Sequence, residues 1–216
     1  MTAINSEPEI NIPGSKISRD RIISMYMETV LTEERIPKSI YKFSKDNNFT
    51  EAEFYSLFGS FDGIQNEIWN SFYEQTISLI NQDASYENFA NREKILTFYY
   101  TFFEILTLNR SYVLFALKEH RDMMKNVNQL KGLRSNIKEF SSHLISLENE
   151  TKNMKVLKRS PKIFSEGAWL QTLFLVKYWM DDNSAAFENT DIAIEKSVRA
   201  IFDLFDSSPF ESVVDF

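Results

Sequence analysis

Apolar residues recur at spacings of three and four along most of this chain, which is the pattern of amphipathic α-helices. The first clear stripe predicts a helix of about four turns that starts after Ser18. It consists of Ile22, Ile23, Tyr26, Met27, Val30 and Leu31. The chain has only five Gly and five Pro, mostly outside the periodic segments. Because helix breakers are so few, the pattern predicts an all-α protein with about nine helices.

Two short helices joined by a tight turn are predicted next. Pro37 suits a first helical turn, and the apolar positions after it continue through Phe43. Asn48 can adopt the left-handed backbone conformation that a tight turn requires. Thr50, with Glu53 three residues later, is the sequence signature of a capping box at the start of the third helix. The segment therefore reads as a helix-turn-helix.

Longer helices are predicted in the rest of the chain. Asp62 can cap a fourth helix, and residues 93–108 form a helix rich in aromatic side chains. Pro161 marks the start of a long apolar helix, since proline is favoured in the first turn. Thr190 is predicted to cap a last amphipathic helix.

The composition is that of a globular protein, with 43% hydrophobic and 25% charged residues. The nineteen Phe and nine Tyr have two interpretations, which are a packed aromatic core or an aromatic-lined cavity for a flat or oily ligand. The absence of Cys excludes disulfides, zinc-thiolate sites and thiol catalysis. The longest apolar stretch, 95–108, is about 14 residues and too short to span a bilayer. No secretion signal is recognised, and we expect a soluble, cytoplasmic protein rather than an integral membrane protein.

Charge is distributed unevenly around the helix-turn-helix. Between Lys45 and Arg92 the chain has no basic residue but eight acidic ones. These are Asp46, Glu51, Glu53, Asp62, Glu67, Glu74, Asp83 and Glu87. Affinity for duplex DNA comes largely from Lys and Arg at phosphates, so this charge conflicts with a DNA-reading motif. Residues 118–162 have the opposite balance, with eleven basic and five acidic residues. This balance has three interpretations, which are a solvated surface, a surface that meets anionic lipid or an acidic partner, and contact with the acidic N-terminal module within or between subunits.

The segment from the turn to the fourth helix resembles the N-terminal domain of TetR-family transcriptional regulators. Tyr55 and Phe58 match the aromatic pair of the family's third helix, Thr50 matches its cap, and Asn48 stands at the turn glycine. The resemblance covers about residues 17 to 80 and implies a TetR-like, all-α fold. In this fold, 1–15 is a flexible lead-in, 16–62 is a three-helix DNA-binding module, and 63–216 is a helical ligand-binding and dimerisation domain.

The resemblance also implies a function and a DNA-binding surface. It implies a homodimeric one-component regulator that binds operator DNA and senses a small hydrophobic ligand. The candidate DNA-binding residues are Lys16, Arg19, Arg21, Lys38, Lys42, Lys45, Thr50, Glu51, Ala52 and Tyr55. Two departures from the family put DNA binding in doubt. Phe61 stands where the family has a phosphate-binding lysine, and Glu51 and Glu53 are expected to repel phosphate, although a carboxylate can accept a hydrogen bond from cytosine.

The family's larger domain implies a ligand pocket and a dimer interface. The candidate pocket residues, whose other interpretation is simple core packing, are Phe98, Phe102, Phe103, Leu106, Phe115, Phe140, Trp169 and Phe174. In the family, two C-terminal helices of each protomer form a four-helix dimer interface. The candidates for it here are Leu173, Lys177, Ile194, Val198, Ile201 and Phe205.

A second functional interpretation comes from residues 181–190. This segment resembles the C-terminal region of the lipid-binding protein of coenzyme Q biosynthesis, which has a TetR-like fold and is not a repressor. The alternative function is therefore a lipid- or isoprenoid-binding accessory protein that does not bind DNA. Catalysis has little support, because His120 and His143 lack metal-ligand spacing and no glycine-rich phosphate loop is present. We expect no enzyme activity, no metal and no cofactor.

Overall fold

The computed structural model describes residues 17–119, 128–151 and 159–207. The described residues form nine α-helices and two short 3₁₀-helices, and no strand occurs among them. The predicted all-α fold is thereby confirmed. Within the same residues, no helix combines the length and the apolar character that crossing a membrane requires.

The α-helices are α1 (Arg19–Glu33), α2 (Ile40–Asp46), α3 (Glu51–Leu57), α4 (Phe61–Ile80), α5 (Asn91–Leu108), α6 (Arg110–Glu119), α7 (Lys131–Thr151), α8 (Pro161–Asp181) and α9 (Glu188–Ser207). The 3₁₀-helices are Tyr86–Asn88 and Ala185–Phe187.

Local side-chain caps define where the first three helices begin. The Ser18 hydroxyl accepts a hydrogen bond from the backbone N–H of Arg21, and Ser39 caps α2 in the same way. Thr50 and Glu53 form the predicted capping box of α3. Asn48, in the turn between α2 and α3, has a φ of 59°, so the predicted left-handed turn is also confirmed.

The chain divides into two compact units. Of the described residues, 17–72, 104–119 and 128–132 form unit 1, and 73–103, 133–151 and 159–207 form unit 2. The predicted boundary after residue 62 differs from this division and stays a prediction. In unit 1, the indole N–H of Trp69 donates to Gln129 at 3.2 Å, and Gln129 donates to the carbonyl of Ala116 at 3.0 Å. These bonds satisfy polar groups that are buried in the core of unit 1.

The core of unit 2 is formed by α5, α7, α8 and α9. The Tyr99 hydroxyl is 3.0 Å from the carbonyl of Ala168 and 3.1 Å from the Thr172 hydroxyl. Burial raises the pKa of Tyr99 well above its ordinary value, so the hydroxyl keeps its proton and serves as a donor. α8 and α9 pack against each other, with Ile194 and Val198 of α9 completely buried.

Asp182 organises the connection between α8 and α9. Its carboxylate accepts hydrogen bonds from the backbone N–H and the hydroxyl of both Ser184 and Thr190, at 2.7–2.9 Å. Burial opposes the charged form, but these hydrogen bonds outweigh it and hold the pKa of Asp182 well below its usual range. α9 begins at Glu188, so the prediction that Thr190 caps this helix is wrong: Thr190 lies in the first turn, and its N–H donates to Asp182.

Candidate nucleic-acid interface

α2, the turn and α3 form a helix-turn-helix whose two sides differ in polarity. The inner side of α3 is apolar, since Phe54 is completely buried and contacts Phe43 of α2 edge to face at 6.3 Å. On the outer side, Ala52 and Ser56 are exposed, and the Tyr55 side chain is 55% exposed. The outer residues of α3 are therefore available to a partner, as a recognition helix requires.

Phe61 joins the aromatic core beneath α3. Its ring stacks on Tyr26 at 5.5 Å and meets Phe43 and Phe54 edge to face at 5.6 and 5.8 Å. The Tyr26 hydroxyl in turn accepts a hydrogen bond from Gln65 at 2.9 Å. A position that carries a phosphate-binding lysine in TetR-like sequences is thus occupied by a ring that holds α1, α2, α3 and the start of α4 together.

The two carboxylates at the start of α3 have different environments. Glu53 accepts hydrogen bonds from the backbone N–H and the hydroxyl of Thr50, both at 2.8 Å. The backbone hydrogen bond and then the hydroxyl bond lower the pKa of Glu53. Glu51 is partly exposed and forms no hydrogen bond or ion pair with any described residue. One oxygen of the Glu53 carboxylate thus belongs to the cap, whereas the Glu51 carboxylate has no partner in the part of the chain that the structure describes.

Arg19 is held against the end of α3. Its guanidinium lies 4.6 Å from the centre of the Phe58 ring and donates to the carbonyl of Leu57 at 2.9 Å. It also forms an ion pair with Glu67 of α4 at 3.1 Å. These contacts account for the position of Arg19 without a phosphate, and its role as a DNA contact stays a prediction.

The lysines in α2 and just before it also differ from one another. Lys42 forms an ion pair with Asp46, and the hydrogen bond to this carboxylate raises the pKa of Lys42. Lys38 and Lys45 are exposed and form no ion pair with the described residues, although the Lys45 ammonium lies 6.0 Å from the Tyr41 ring. Arg21 of α1 is half-buried, and Lys16 lies outside the described residues.

The predicted pocket residues are divided between the two units. Phe98 stacks on Phe102 at 5.7 Å, and its ring centre is 4.9 Å from that of Phe140. Phe103 contacts Phe102 edge to face at 5.8 Å, and Trp169 is buried. These side chains fill the core of unit 2 ring against ring, and their assignment to a pocket stays a prediction.

The other three candidate pocket residues have different surroundings. Phe174 is 53% exposed on α8, whereas Leu106 and Phe115 belong to unit 1. Phe115 lines one of two cavities that lie along α1 and α6. The first, of about 310 Å³, is lined by Ser24, Met27, Glu28, Leu31, Thr107, Leu108, Asn109, Arg110, Ser111 and Tyr112. The second, of about 800 Å³, is lined by Val30, Leu31, Glu34, Ser111, Leu114, Phe115 and Lys118.

Of the residues that line these cavities, only Phe115 was predicted from the sequence. Half of the lining is polar, and the lining residues have no distinctive spacing in the chain. The recurring Leu31 and Ser111, which line both cavities, become neighbours only when α1 packs on α6. The cavities therefore depend on contacts between residues that are far apart in the sequence.

The candidate dimer residues lie on both sides of α8 and α9. Ile194 and Val198 are completely buried within the chain, whereas Leu173 and Ile201 are half-buried. Lys177 is exposed and pairs with Asp181, and the side chain of Phe205 lies outside the described residues. The assignment of these six residues to an interface stays a prediction.

Apolar side chains that were not predicted are exposed on α8. They are Leu170 and Tyr178, which share one side of the helix with Phe174 at spacings of four. Leu170 is 65% and Tyr178 40% exposed. The spacing was visible in the sequence, but α8 is apolar on several sides, so spacing alone did not show which side faces solvent.

Comparison with known proteins places the C-terminal part of the chain in a family. The model of the tetracyclin repressor-like C-terminal domain matches residues 94–216, which are more than half of the chain. No curated protein and no solved structure gives a significant match. The match does not include α1 to α3, which contain the helix-turn-helix. Since the helical architecture agrees with the matched domain, the chain belongs to the TetR family.

Proposed function

We propose that the protein is a cytoplasmic, homodimeric one-component transcriptional regulator whose affinity for operator DNA changes when a small hydrophobic ligand binds. The observation that carries this proposal is the helix-turn-helix in front of a TetR-family domain. Its third helix is anchored from inside by Phe54 and keeps Ala52 and Tyr55 exposed outside. A helix with this division between its two sides is suited to the major groove.

The available cations indicate how such a protein binds DNA. Arg21, Lys38 and Lys45 form no ion pair with the described residues, which gives three candidate phosphate contacts in each protomer. Six contacts in a dimer correspond to a slope of about −5 in a plot of log affinity against log salt. The acidic residues in the module reduce the affinity further, so specific binding depends on base contacts more than in a strongly basic DNA-binding protein.

The exposed side of α8 supports a homodimer. Leu170, Phe174 and Tyr178 form an apolar stripe that two copies can bury against each other about a twofold axis. Apolar and aromatic side chains of this kind are enriched in the buried centres of interfaces. Dimerisation brings two helix-turn-helix modules into one DNA-binding unit.

The cavities along α1 and α6 support ligand sensing. The larger cavity is an open groove of about 800 Å³, in which Leu31 and Phe115 supply apolar contacts beside polar residues, and a small molecule can lie there. A ligand there contacts α1, which is itself part of the DNA-binding module. Occupation of the cavity is therefore expected to alter DNA affinity, and DNA is expected to alter ligand affinity by the same factor.

Two side chains that would contact phosphate in a DNA-binding relative favour a second candidate function. Phe61 replaces a phosphate-binding lysine, and Arg19 is engaged with Leu57 and Glu67. Both observations favour a TetR-fold protein that does not bind DNA, for which binding of lipid or isoprenoid is the alternative function that we propose.

One titration distinguishes the two functions. Labelled DNA from upstream of the protein's own gene is titrated with the full chain at several salt concentrations. A regulator binds at about 10 nM or tighter with the salt slope given above. Lys38→Glu should weaken binding, whereas the matched control Lys131→Glu, an exposed lysine of α7, should not. Absence of binding at low salt, together with a lipid detected by mass spectrometry of the purified protein, would establish the second function instead.

A further inference from the structure

We infer that Glu51 is the base-reading carboxylate of the protein and that it selects cytosine in the operator. This inference rests on the proposed DNA binding and adds the residue and the base that determine sequence preference. It starts from the different environments of the two carboxylates in the first turn of α3.

The hydrogen bonds of Glu53 tie its side chain to the cap of α3 and make it a weaker candidate than Glu51 for the reading group. Its Oε2 atom accepts from both the backbone N–H and the hydroxyl of Thr50, and both bonds measure 2.8 Å. Reaching toward a base edge would break the capping box and leave the N–H of Thr50 without its partner. Glu53 therefore has a structural role at the start of α3.

Glu51 has none of these contacts. It is partly exposed, and no described residue donates a hydrogen bond to it or pairs with it. It also lies one helical turn before Tyr55, so the two side chains lie on the same side of α3 as a pair at i and i+4. Tyr55 is exposed, and so is Ala52, which follows Glu51 in the sequence. Residues at the start of a recognition helix are those that reach base edges.

The chemistry of a carboxylate selects one base among four. An ionised carboxylate only accepts hydrogen bonds, and in the major groove only cytosine and adenine present an amino donor. Adenine places the N7 acceptor beside its amino group, which repels the second carboxylate oxygen. Guanine and thymine present acceptors on their own major-groove edges. Cytosine is therefore the base that Glu51 accepts best.

A carboxylate in this position acts on specificity rather than on overall affinity. It lies close to phosphates that repel it on every DNA sequence, and only the hydrogen bond with cytosine offsets this repulsion. Removal of the Glu51 charge should therefore tighten binding to unrelated DNA and at the same time reduce the preference for the operator.

The test is selection of bound duplexes from a random DNA pool by the full-length protein and two matched variants. The wild-type protein should enrich cytosine at one position in each half-site. Glu51→Gln should move the preference at that position to adenine, since glutamine pairs with the adenine N6 and N7 atoms. Glu53→Gln should keep the cytosine, because the amide changes the cap and not the reading group.

A modified duplex tests the individual hydrogen bond. Replacing the selected cytosine by a 2-pyrimidinone nucleoside removes the 4-amino group and should weaken wild-type binding about 5- to 100-fold, the range of a base contact. Glu51→Ala should bind the two duplexes equally.

The outcomes separate this inference from the proposed function. If the wild-type protein binds no DNA at low salt, both are overturned. If it binds and selects a sequence, but the cytosine preference persists in Glu51→Gln and Glu51→Ala, only the role of Glu51 is overturned. Binding without any preferred sequence also overturns the role of Glu51 while leaving DNA binding in place.

Discussion

The outer side of α3 and the outer side of α8 expose different kinds of residue. α3 exposes the small Ala52 and the hydroxyl-bearing Tyr55, together with the carboxylate of Glu51. α8 exposes Leu170 and Phe174, which have no polar group, together with the ring of Tyr178. A surface with hydrogen-bonding groups is suited to a hydrated, polar partner, and an apolar stripe to a protein surface. The difference supports assigning DNA to the first surface and a second copy of the chain to the other.

The two regions are also stabilised in different ways. α2 and α3 have seven residues each, which is too short for a stable isolated helix. They are held by side-chain caps and by the rings of Tyr26, Phe43, Phe54 and Phe61. α8 and α9 have 21 and 20 residues and pack along each other. A single core substitution should therefore disturb the helix-turn-helix more than the helix pair.

The largest expected effect on stability is that of Phe54→Ala. Phe54 is completely buried at the centre of the ring cluster, and its truncation should lower the free energy of unfolding by about 3–5 kcal/mol. Tyr55→Ala is the matched control, because its side chain is 55% exposed and should cost less than about 1 kcal/mol. Urea denaturation followed by circular dichroism measures both. Equal losses of unfolding free energy in the two variants would contradict the assignment of Phe54 to the buried side and Tyr55 to the exposed side of α3.

Disruption of the α8 stripe should act on assembly rather than folding. The double substitution Leu170→Glu and Phe174→Glu brings carboxylates together in the proposed interface and should weaken dimerisation by about 100-fold or more. Leu79→Glu is the control, since Leu79 of α4 is 41% exposed and was not assigned to the interface. Sedimentation equilibrium measures the dissociation constant. A dimer of unchanged strength would show that another surface mediates assembly.

Phe61→Lys introduces the residue that the family has at this position, but it should lower the stability of this protein. The substitution removes the stacking on Tyr26 and two edge-to-face contacts, at a cost of about 2 kcal/mol. Phe61→Leu, which keeps an apolar side chain, should cost less. Thermal unfolding and DNA titration of both variants provide the test. A stable Phe61→Lys protein with tighter DNA binding would mean that the ring is not needed in the core.

Local signals made the helix-turn-helix predictable from the sequence. The cap at Thr50 and the turn at Asn48 involve residues within a few positions of each other, and the structure confirms both. The packing of Phe61 was not predictable in this way. Its ring contacts Tyr26, which is 35 positions away in the chain, so it depends on how α1 packs against the start of α4.

Charges were the least predictable part of the candidate site. Arg19 and Glu53 were interpreted from the sequence as groups that attract or repel phosphate. In the structure, Arg19 bonds Leu57 and Glu67, which are 38 and 48 positions away, and Glu53 closes the cap of α3. A count of charges along the chain cannot separate side chains that already have partners from those that are free. Both acidic residues of α3 are partly exposed, but only Glu51 has no hydrogen bond or ion pair with a described residue.

The smallest expected effect is a difference between the caps of α3 and α9 in how their contribution to stability depends on pH. Glu53 caps α3 and Asp182 caps α9, and hydrogen bonds hold the pKa of both below their ordinary values. A carboxyl with a lowered pKa stabilises the fold above its unfolded pKa of about 4, and this contribution disappears as the pH falls toward the folded value. Glu53→Gln and Asp182→Asn should therefore be less stable than the wild type at pH 7, with the differences shrinking from about pH 5 downward. The loss of this stability difference with falling pH should be larger for Asp182 than for Glu53. Four hydrogen bonds converge on the buried Asp182 carboxylate, whereas two end on that of Glu53. Urea midpoints measured between pH 7 and pH 3 check this order, and a larger pH dependence for Glu53 would reverse the relative importance of the two caps.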